Sequence, residues 1–260
     1  MKEAFAFLPR SWSRERRSAV TIAIALLGAV VFLWLLAIPL SWMPDPIGPA
    51  AAQFAAGALC TVELTVAAGL IGIVIGLLAA FGKLSKVPPL RWVSNFYIWV
   101  IRGTPLLVQI YFVFFALPDL LPVQLSDFNS AVIALAMNVG AYNAEAIRAG
   151  ILAVHKGQTE AARSLGLSPL QTFRDVIFPQ SFRVALPSLV NNFVSLLKDS
   201  SLATAIGVVE LMNIGNRIRS ASYQPVPVLI TAAVIYLVLT TLMTQISGAL
   251  ERQMNVEDHK

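Results

Sequence analysis

The chain has 260 residues, of which 57% are hydrophobic and only 13% charged, with a formal net charge of +5 at pH 7. A soluble domain of this size carries about a quarter charged residues; here the charges sit between long apolar runs, which argues against a soluble globular protein. No basic patch with interleaved aromatics lies outside those runs, so the positive charge reads as loop charge rather than a nucleic-acid site, and one cysteine, Cys60, builds neither a disulfide framework nor a thiolate metal site.

Six apolar runs follow in order. The first, Ala19–Trp42, comes after Arg10, Arg14, Arg16 and Arg17. It is longer than the roughly 7–15 apolar residues of a signal peptide, so a retained span is expected. The second is Phe54–Phe81. The third, Trp92–Leu117, contains Arg102 and Pro105, and the proline is expected to kink or loosen it. The fourth is Phe128–Leu152, the fifth Val184–Val209 and the sixth Val226–Leu250. An apolar run of about 18 or more residues is long enough to cross a bilayer. The expected fold is therefore an all-α integral membrane bundle of six spans, one N-terminal span and five that follow it.

Most Lys and Arg fall in the N-terminus, in Lys83–Arg91 and in Arg148–Arg183, whereas Met43–Gln53 and Pro118–Asp127 carry only Asp45, Asp119 and Asp127. The positive-inside rule then puts both termini in the cytoplasm. Arg217 and Arg219 dissent, since they fall in an outside loop. His155 and His259 lie in polar segments, where a solvated histidine is expected.

Ionisable and amide side chains within spans are costly and tend to face a cavity or a partner. Asn95, Arg102 and Gln109 are one heptad apart, Asn138, Tyr142 and Glu145 are at i, i+4 and i+7, and Asn191, Ser195 and Lys198 repeat that spacing with Asp199 adjacent. Such stripes either line a path or tie helices together, for example Arg102 with Glu145. A path offering both signs of charge suits a zwitterion. Glu63 is near the outer end of the second span and reads as a group that reaches water. Gly69, Gly72 and Gly76 form a small-residue packing face. The stretch Gly76–Leu84, GLLAAFGKL, is a chance likeness to a phosphate loop, with one residue too many between the glycines and no Ser or Thr after Lys83.

The one long loop reads HKGQTEAARSLGLSPLQTFRDVIFPQSFR. It parses into a short helix over about Gln158–Leu165 with Gly166 at the left-handed cap, and a second with Ser168 as N-cap, Pro169 at the first position and Gln171 completing a capping box. Leu170, Phe173 and Ile177 share a face, and Pro179 is expected to end the helix. Helix physics alone leaves a lipid-surface element and a protein-docking element both open.

This loop resembles the EAA loop of bacterial ABC importer permeases, whose pattern is E-A-A, three residues, G, nine residues, then I-x-L-P. Glu160, Ala161, Ala162, Gly166 and Pro179 are in register, with Val176 and Phe178 replacing the family's Ile and Leu. RGTPLLVQIYF, NVGAYNAEAIRAGI, KGQTEAARSLGLS and SLLKDSSLA are further similar, in order, to the histidine/glutamine type of polar amino-acid permease. The resemblance covers roughly residues 54–252. It implies residues 1–53 as an N-terminal tail, extra span and outside loop, 54–252 as the transmembrane domain with a coupling loop at 157–179, and 253–260 as a cytoplasmic tail.

The resemblance also implies a multi-pass protein of the bacterial inner membrane that moves polar amino acids inward by alternating access. The implied partners are a cytoplasmic ABC ATPase dimer, a second permease subunit of the same or a related sequence, and a periplasmic solute-binding protein. ATP and magnesium would be used by that ATPase; no catalytic residue, metal or cofactor is expected in this chain. Candidate path residues are Arg102, Thr104, Gln109, Asn138, Tyr142, Glu145, Ser195, Lys198 and Asp199. Candidate ATPase-docking residues are Gly157, Glu160, Ala161, Ala162, Gly166 and Pro179. Two alternatives remain open: an ATP-independent solute or ion channel, and a membrane-embedded enzyme. The first has no need of the two-helix loop, and the second lacks a histidine within any span.

Overall fold

The computed structural model describes residues 14–254. The expected tail with Arg10 and the terminal residues with His259 lie outside the described residues. All regular structure among the described residues is helical: α1 (Arg14–Leu35), α2 (Ala37–Ser41), α3 (Ala51–Leu84), α4 (Pro88–Gly103), α5 (Leu106–Tyr111), α6 (Leu117–Leu120), α7 (Asp127–Ala153), α8 (Lys156–Ser164), α9 (Pro169–Gln171), α10 (Phe178–Asp199), α11 (Leu211–Ser222) and α12 (Pro225–Met254).

Three helical stretches are long and apolar enough to cross a bilayer, Arg16–Ser41, Gly48–Leu84 and Pro225–Ile246. The pair Pro88–Gly103 and Leu106–Leu120 makes a fourth only if taken together, and its halves meet at 112°. α7 and α10 have 27 and 22 residues, about 40 and 33 Å at the helical rise, which exceeds a hydrocarbon core of about 30 Å. They carry charged side chains, however. Length permits six crossings; length and composition together give three or four.

Three boundaries differ from the sequence reading. The third run is not a kinked helix but two helices. Thr104 is extended, at φ −118° and ψ 148°, as a residue before proline tends to be, and Pro105 has no N–H to offer α4. The fifth run starts earlier and stops earlier, because α10 ends at Asp199. A 3-10 segment, Ser200–Ile206, follows and is closed by Gly207 at φ +92°, a conformation only glycine adopts cheaply. Finally, Pro179 does not end a helix. A π-helical turn, Thr172–Ile177, connects α9 to α10, with Phe178 N–H bonded to the Phe173 carbonyl. The shift from five-residue to four-residue bonding lets a residue without an N–H sit at the junction. The same arrangement occurs at Phe112–Ala116, where Leu117 N–H reaches Phe112 and Pro118 follows.

The chain forms two compact units. In the first (residues up to Val66, Ile110–Val132, and from Val194), α1 packs along α12, and α11 along α12. Leu40, Phe54, Leu197, Leu211, Ile214, Val228 and Leu239 form its buried apolar cluster. Gly57 lets α3 and α11 touch, since a Cβ there would lie 3.1 Å from the Leu211 Cα. In the second unit (Ala67–Gln109 and Ile133–Phe193), α3 and α7 pack backbone to backbone. A Cβ on Gly76 would meet Asn143 Cβ at 2.7 Å and Gly140 O at 3.1 Å, and one on Gly72 would overlap Val139. The glycine stripe is thus a packing face.

Candidate functional site

The break after α4 organises the polar side chains of the second unit. Gln109 does not continue the Arg102 face, as heptad spacing suggested, because the bend intervenes. Its amide instead folds back: Nε2 donates to Ile101 O at 2.7 Å, Thr104 O at 3.1 Å and Thr104 Oγ1 at 3.0 Å. These acceptors are the end of α4 that a broken helix leaves unsatisfied. Gln109 Oε1 accepts from Asn138 Nδ2 at 3.0 Å, linking the break to α7. One helical turn on, Tyr142 is exposed, and the exposed Arg102 guanidinium lies 5.2 Å from its ring centroid. That distance is within cation–π range.

The suggested Arg102–Glu145 tie is absent. Glu145 Oε1 accepts from Lys83 Nζ at 2.5 Å, and Oε2 from Arg148 at 2.9 and 3.1 Å. The carboxylate is held by α3 and by the next turn of its own helix, so among the described residues Arg102 is left with the aromatic face of Tyr142. Tyr97 OH donates to Met137 O at 2.6 Å, and Asn192 Nδ2 to Asn143 Oδ1 at 2.9 Å. Arg102, Thr104, Gln109, Asn138 and Tyr142 thus form one polar set, with Glu145 in a separate ionic cluster. Ser195, Lys198 and Asp199 belong to the other unit. There Ser195 and Lys198 are exposed, Asp199 is half-buried, and Lys198 lines a cavity of about 310 Å³ with Ser201, Met212 and Tyr236.

Sequence reasoning missed Lys83 as the partner of Glu145, and missed Glu210 altogether. Glu210 is fully buried and N-caps α11. Its carboxylate accepts from Met212 N–H at 2.8 Å, Asn213 N–H at 2.7 Å and Tyr236 OH at 2.9 Å. Leu211 N–H goes to Thr61 Oγ1 at 3.1 Å and Ile214 N–H to Glu210 O at 3.0 Å. All four amino-terminal N–H groups of α11 are accounted for.

The Gly166 and Ser168 caps of the loop form as its sequence implied, while α8 starts at Lys156 rather than near Gln158. His155 is not merely solvated: its Nδ1 accepts from Gly157 N–H at 3.1 Å and caps α8. At the other end Gly166 has φ +82°, with Gly166 N–H bonded to Arg163 O at 2.9 Å and Leu167 N–H to Ala162 O at 3.2 Å. This is a Schellman cap. The Ser168–Gln171 capping box is reciprocal, at 2.9 and 3.3 Å. Ala162 is buried, while Glu160, Ala161, Gly166 and Pro179 are exposed and Gly157 is half-buried. Leu165 and Leu170, on either side of the Gly166 reversal, are 82% and 75% exposed. Phe173 meets the α3 ring Phe81 edge-on at 5.8 Å. The loop therefore contacts α3 on one side and presents small and apolar residues on the other. Outside the spans, the exposed Arg174 guanidinium hydrogen-bonds Asp175 at 2.7 Å and holds its carboxyl below the usual carboxylate range.

A family model for the "Binding-protein-dependent transport system inner membrane component" matches residues 72–256. The L-cystine transport system permease protein TcyB of Bacillus subtilis (strain 168) is 43% identical over 76% of this chain and 85% of its own. The arginine transport system permease protein ArtQ of the same organism is 39% identical over 78% and 92%. A solved structure of an amino acid ABC transporter with histidines aligns with a TM-score of 0.74 at 40% identity, covering 78% of this chain and 95% of that one. These matches leave the ATP-independent channel without support. The chain belongs to the family of binding-protein-dependent transport system inner membrane components, and it is a permease subunit of that kind.

Proposed function

We propose that this permease moves amino acids into the cytoplasm, driven by a separate ABC ATPase that docks on the α8–α9 loop. The observation that carries the reading is that loop. It is capped at both ends of α8 and at the start of α9, anchored on α3 through Phe173, and offers exposed Leu165, Leu170, Glu160 and Ala161 with nothing among the described residues to cover them. Two short helices joined by a tight reversal, with small Ala161 and apolar Leu165 and Leu170 exposed, suit insertion into a groove on another protein, and movement of the loop would be carried to α3 and α10. The amino-acid substrate is supported by what the relatives transport and by the polar set of Arg102, Thr104, Gln109, Asn138 and Tyr142. Ser195, Lys198, Asp199 and Glu145 are proposed as further path residues. ATP and magnesium belong to the ATPase dimer, and a second permease subunit and a periplasmic solute-binding protein complete the assembly. The topology we propose is six crossings with both termini cytoplasmic.

Gly166→Val tests the docking role. Nothing lies within 4 Å of a Cβ at this position, so the substitution strains only the backbone, by about 1–2 kcal/mol. Membrane insertion is expected to persist, because the apolar runs are untouched. ATPase pull-down, or uptake into vesicles containing the binding protein, is expected to be lost. Normal pull-down together with normal uptake ends the docking role. Uptake of a panel of amino acids in the wild type tests the substrate class separately.

A further inference from the structure

Arg217 is one of the two residues, with Arg219, that break the positive-inside pattern, and neither the polar set nor the docking loop uses it. It is exposed in the middle of α11 and lines a cavity of about 430 Å³. The opposite charge in that cavity is Asp45, from the segment before α3, and the third polar group is Gln53, from the first turn of α3. The floor is apolar and buried, formed by Pro46 and Ile218. Among the described residues, the side chains of Asp45, Gln53 and Arg217 have no hydrogen-bond or ionic partner, and Asp45 and Arg217 do not pair with each other. Nearby polar groups are otherwise satisfied: Arg219 Nε donates to Asn216 Oδ1 at 2.9 Å, and Ser222 Oγ donates to Ile218 O at 2.8 Å.

An unpaired carboxylate and an unpaired guanidinium facing one concavity, over an apolar floor, are complementary to a small molecule that carries both charges close together and an uncharged or variable tail. We propose that this cavity is an outer vestibule site for the zwitterionic main chain of an α-amino acid, with Arg217 taking the carboxylate, Asp45 the ammonium and Gln53 a remaining hydrogen bond. The volume is within the range of about 300–1,000 Å³ usual for small-molecule pockets. A planar guanidinium is the side chain best matched to a carboxylate. The site has one wall from Asp45–Gln53 and the other from Arg217–Ser222. It rests on the amino-acid reading and on the proposed topology, and would hold substrate on the outer side before it enters the path.

Ala221 lines the same cavity and is exposed, so its substitution gives a local readout that the path residues do not share. The full chain with its ATPase partner is prepared as Ala221→Cys in a Cys60→Ala background. Labelling by a membrane-impermeant maleimide is followed in intact cells and in nanodiscs without binding protein. L-arginine is expected to slow labelling. Asp45→Asn and Arg217→Gln are each expected to weaken that protection about tenfold or more, the loss of one charge-assisted contact. Agmatine, which lacks the carboxylate, and Nα-acetyl-L-arginine, which lacks the ammonium, are expected not to protect. The proposal is overturned by absence of labelling from outside, by equal protection in both charge variants, by equal protection from agmatine, or by protection from the loaded binding protein alone. If the wild type takes up no amino acid, the functional reading itself fails; if uptake is normal but protection is not found, only the vestibule site fails.

Discussion

Glu145 in one unit and Glu210 in the other are both carboxylates withdrawn from bulk water, and they are held by different chemistry. Glu145 retains 18% side-chain exposure and is held by two flexible cations, Lys83 and Arg148, themselves 27% and 29% exposed. Glu210 is fully buried and is held by two backbone N–H groups and one phenol. A cation on a long side chain can swing to water when its partner is lost. A backbone donor at a helix start cannot move without unwinding the helix. Equal-looking carboxylates therefore differ in what their removal leaves behind: re-solvated charges in one case, stranded donors in the other.

The largest expected effect follows from this. Glu210→Ala strands the N–H groups of Met212 and Asn213 and the hydroxyl of Tyr236, at a cost of at least about 3 kcal/mol from lost capping and unsatisfied buried donors. Heating the purified complex in detergent and scoring the surviving monodisperse fraction should show it as the least stable variant. Glu210→Gln keeps an acceptor oxygen and should lose less than half as much. If the two variants melt together, the acceptor role assigned to Glu210 is wrong.

The contrast also explains what the sequence could show. Glu145 stands out because its spacing with Asn138 and Tyr142 repeats along a helix, and the loop is legible because capping is local: Ser168, Pro169, Gln171 and Gly166 each act within a few residues. The apolar runs likewise gave α3, α7 and α12 to within a few positions. Glu210 was not legible, since Glu is not a favoured N-cap and its partner Tyr236, like the Thr61 that accepts from Leu211 N–H, is distant in the chain. Lys83 and Glu145 are 62 residues apart, and nothing in one sequence pairs them. Proline misled in two ways. At Pro105 the change was larger than a kink, because Thr104 went extended. At Pro179 it was smaller than a stop, because a π-turn absorbed the missing N–H; hydrophobic periodicity does not register either outcome.

A smaller effect is expected at the cation-held carboxylate. Lys83→Ala leaves Arg148 on Glu145, so stability should fall by about 1 kcal/mol or less. Glu145→Gln should cost a similar amount, and a double-mutant cycle of the two should return a coupling of about 1 kcal/mol. Because these groups are partly exposed, raising ionic strength should shrink that coupling, whereas it should leave the Glu210→Ala loss unchanged. A coupling as large as the Glu210→Ala loss would mean that Glu145 is as deeply desolvated as Glu210, and the comparison would collapse.

The limiting case is Asp175, whose partner Arg174 is its sequence neighbour on the exposed loop. Its carboxyl is held below the usual range by that hydrogen bond. A depressed carboxylate contributes stability that is present above its unfolded pKa and is lost as pH falls through its folded pKa. Both side chains are well exposed, so solvent and salt screen the interaction and the contribution in the isolated chain should be too small to measure. Asp175→Asn is therefore expected to melt with the wild type at neutral pH and at pH values below the ordinary carboxylate range alike. The same substitution becomes informative once the ATPase is bound. If the docked partner covers the loop, the pair loses water and the variant should weaken pull-down more at low salt than at high salt. Equal pull-down at every salt concentration would place Arg174 and Asp175 outside the covered surface, and confine docking to the α8 side of the Gly166 reversal.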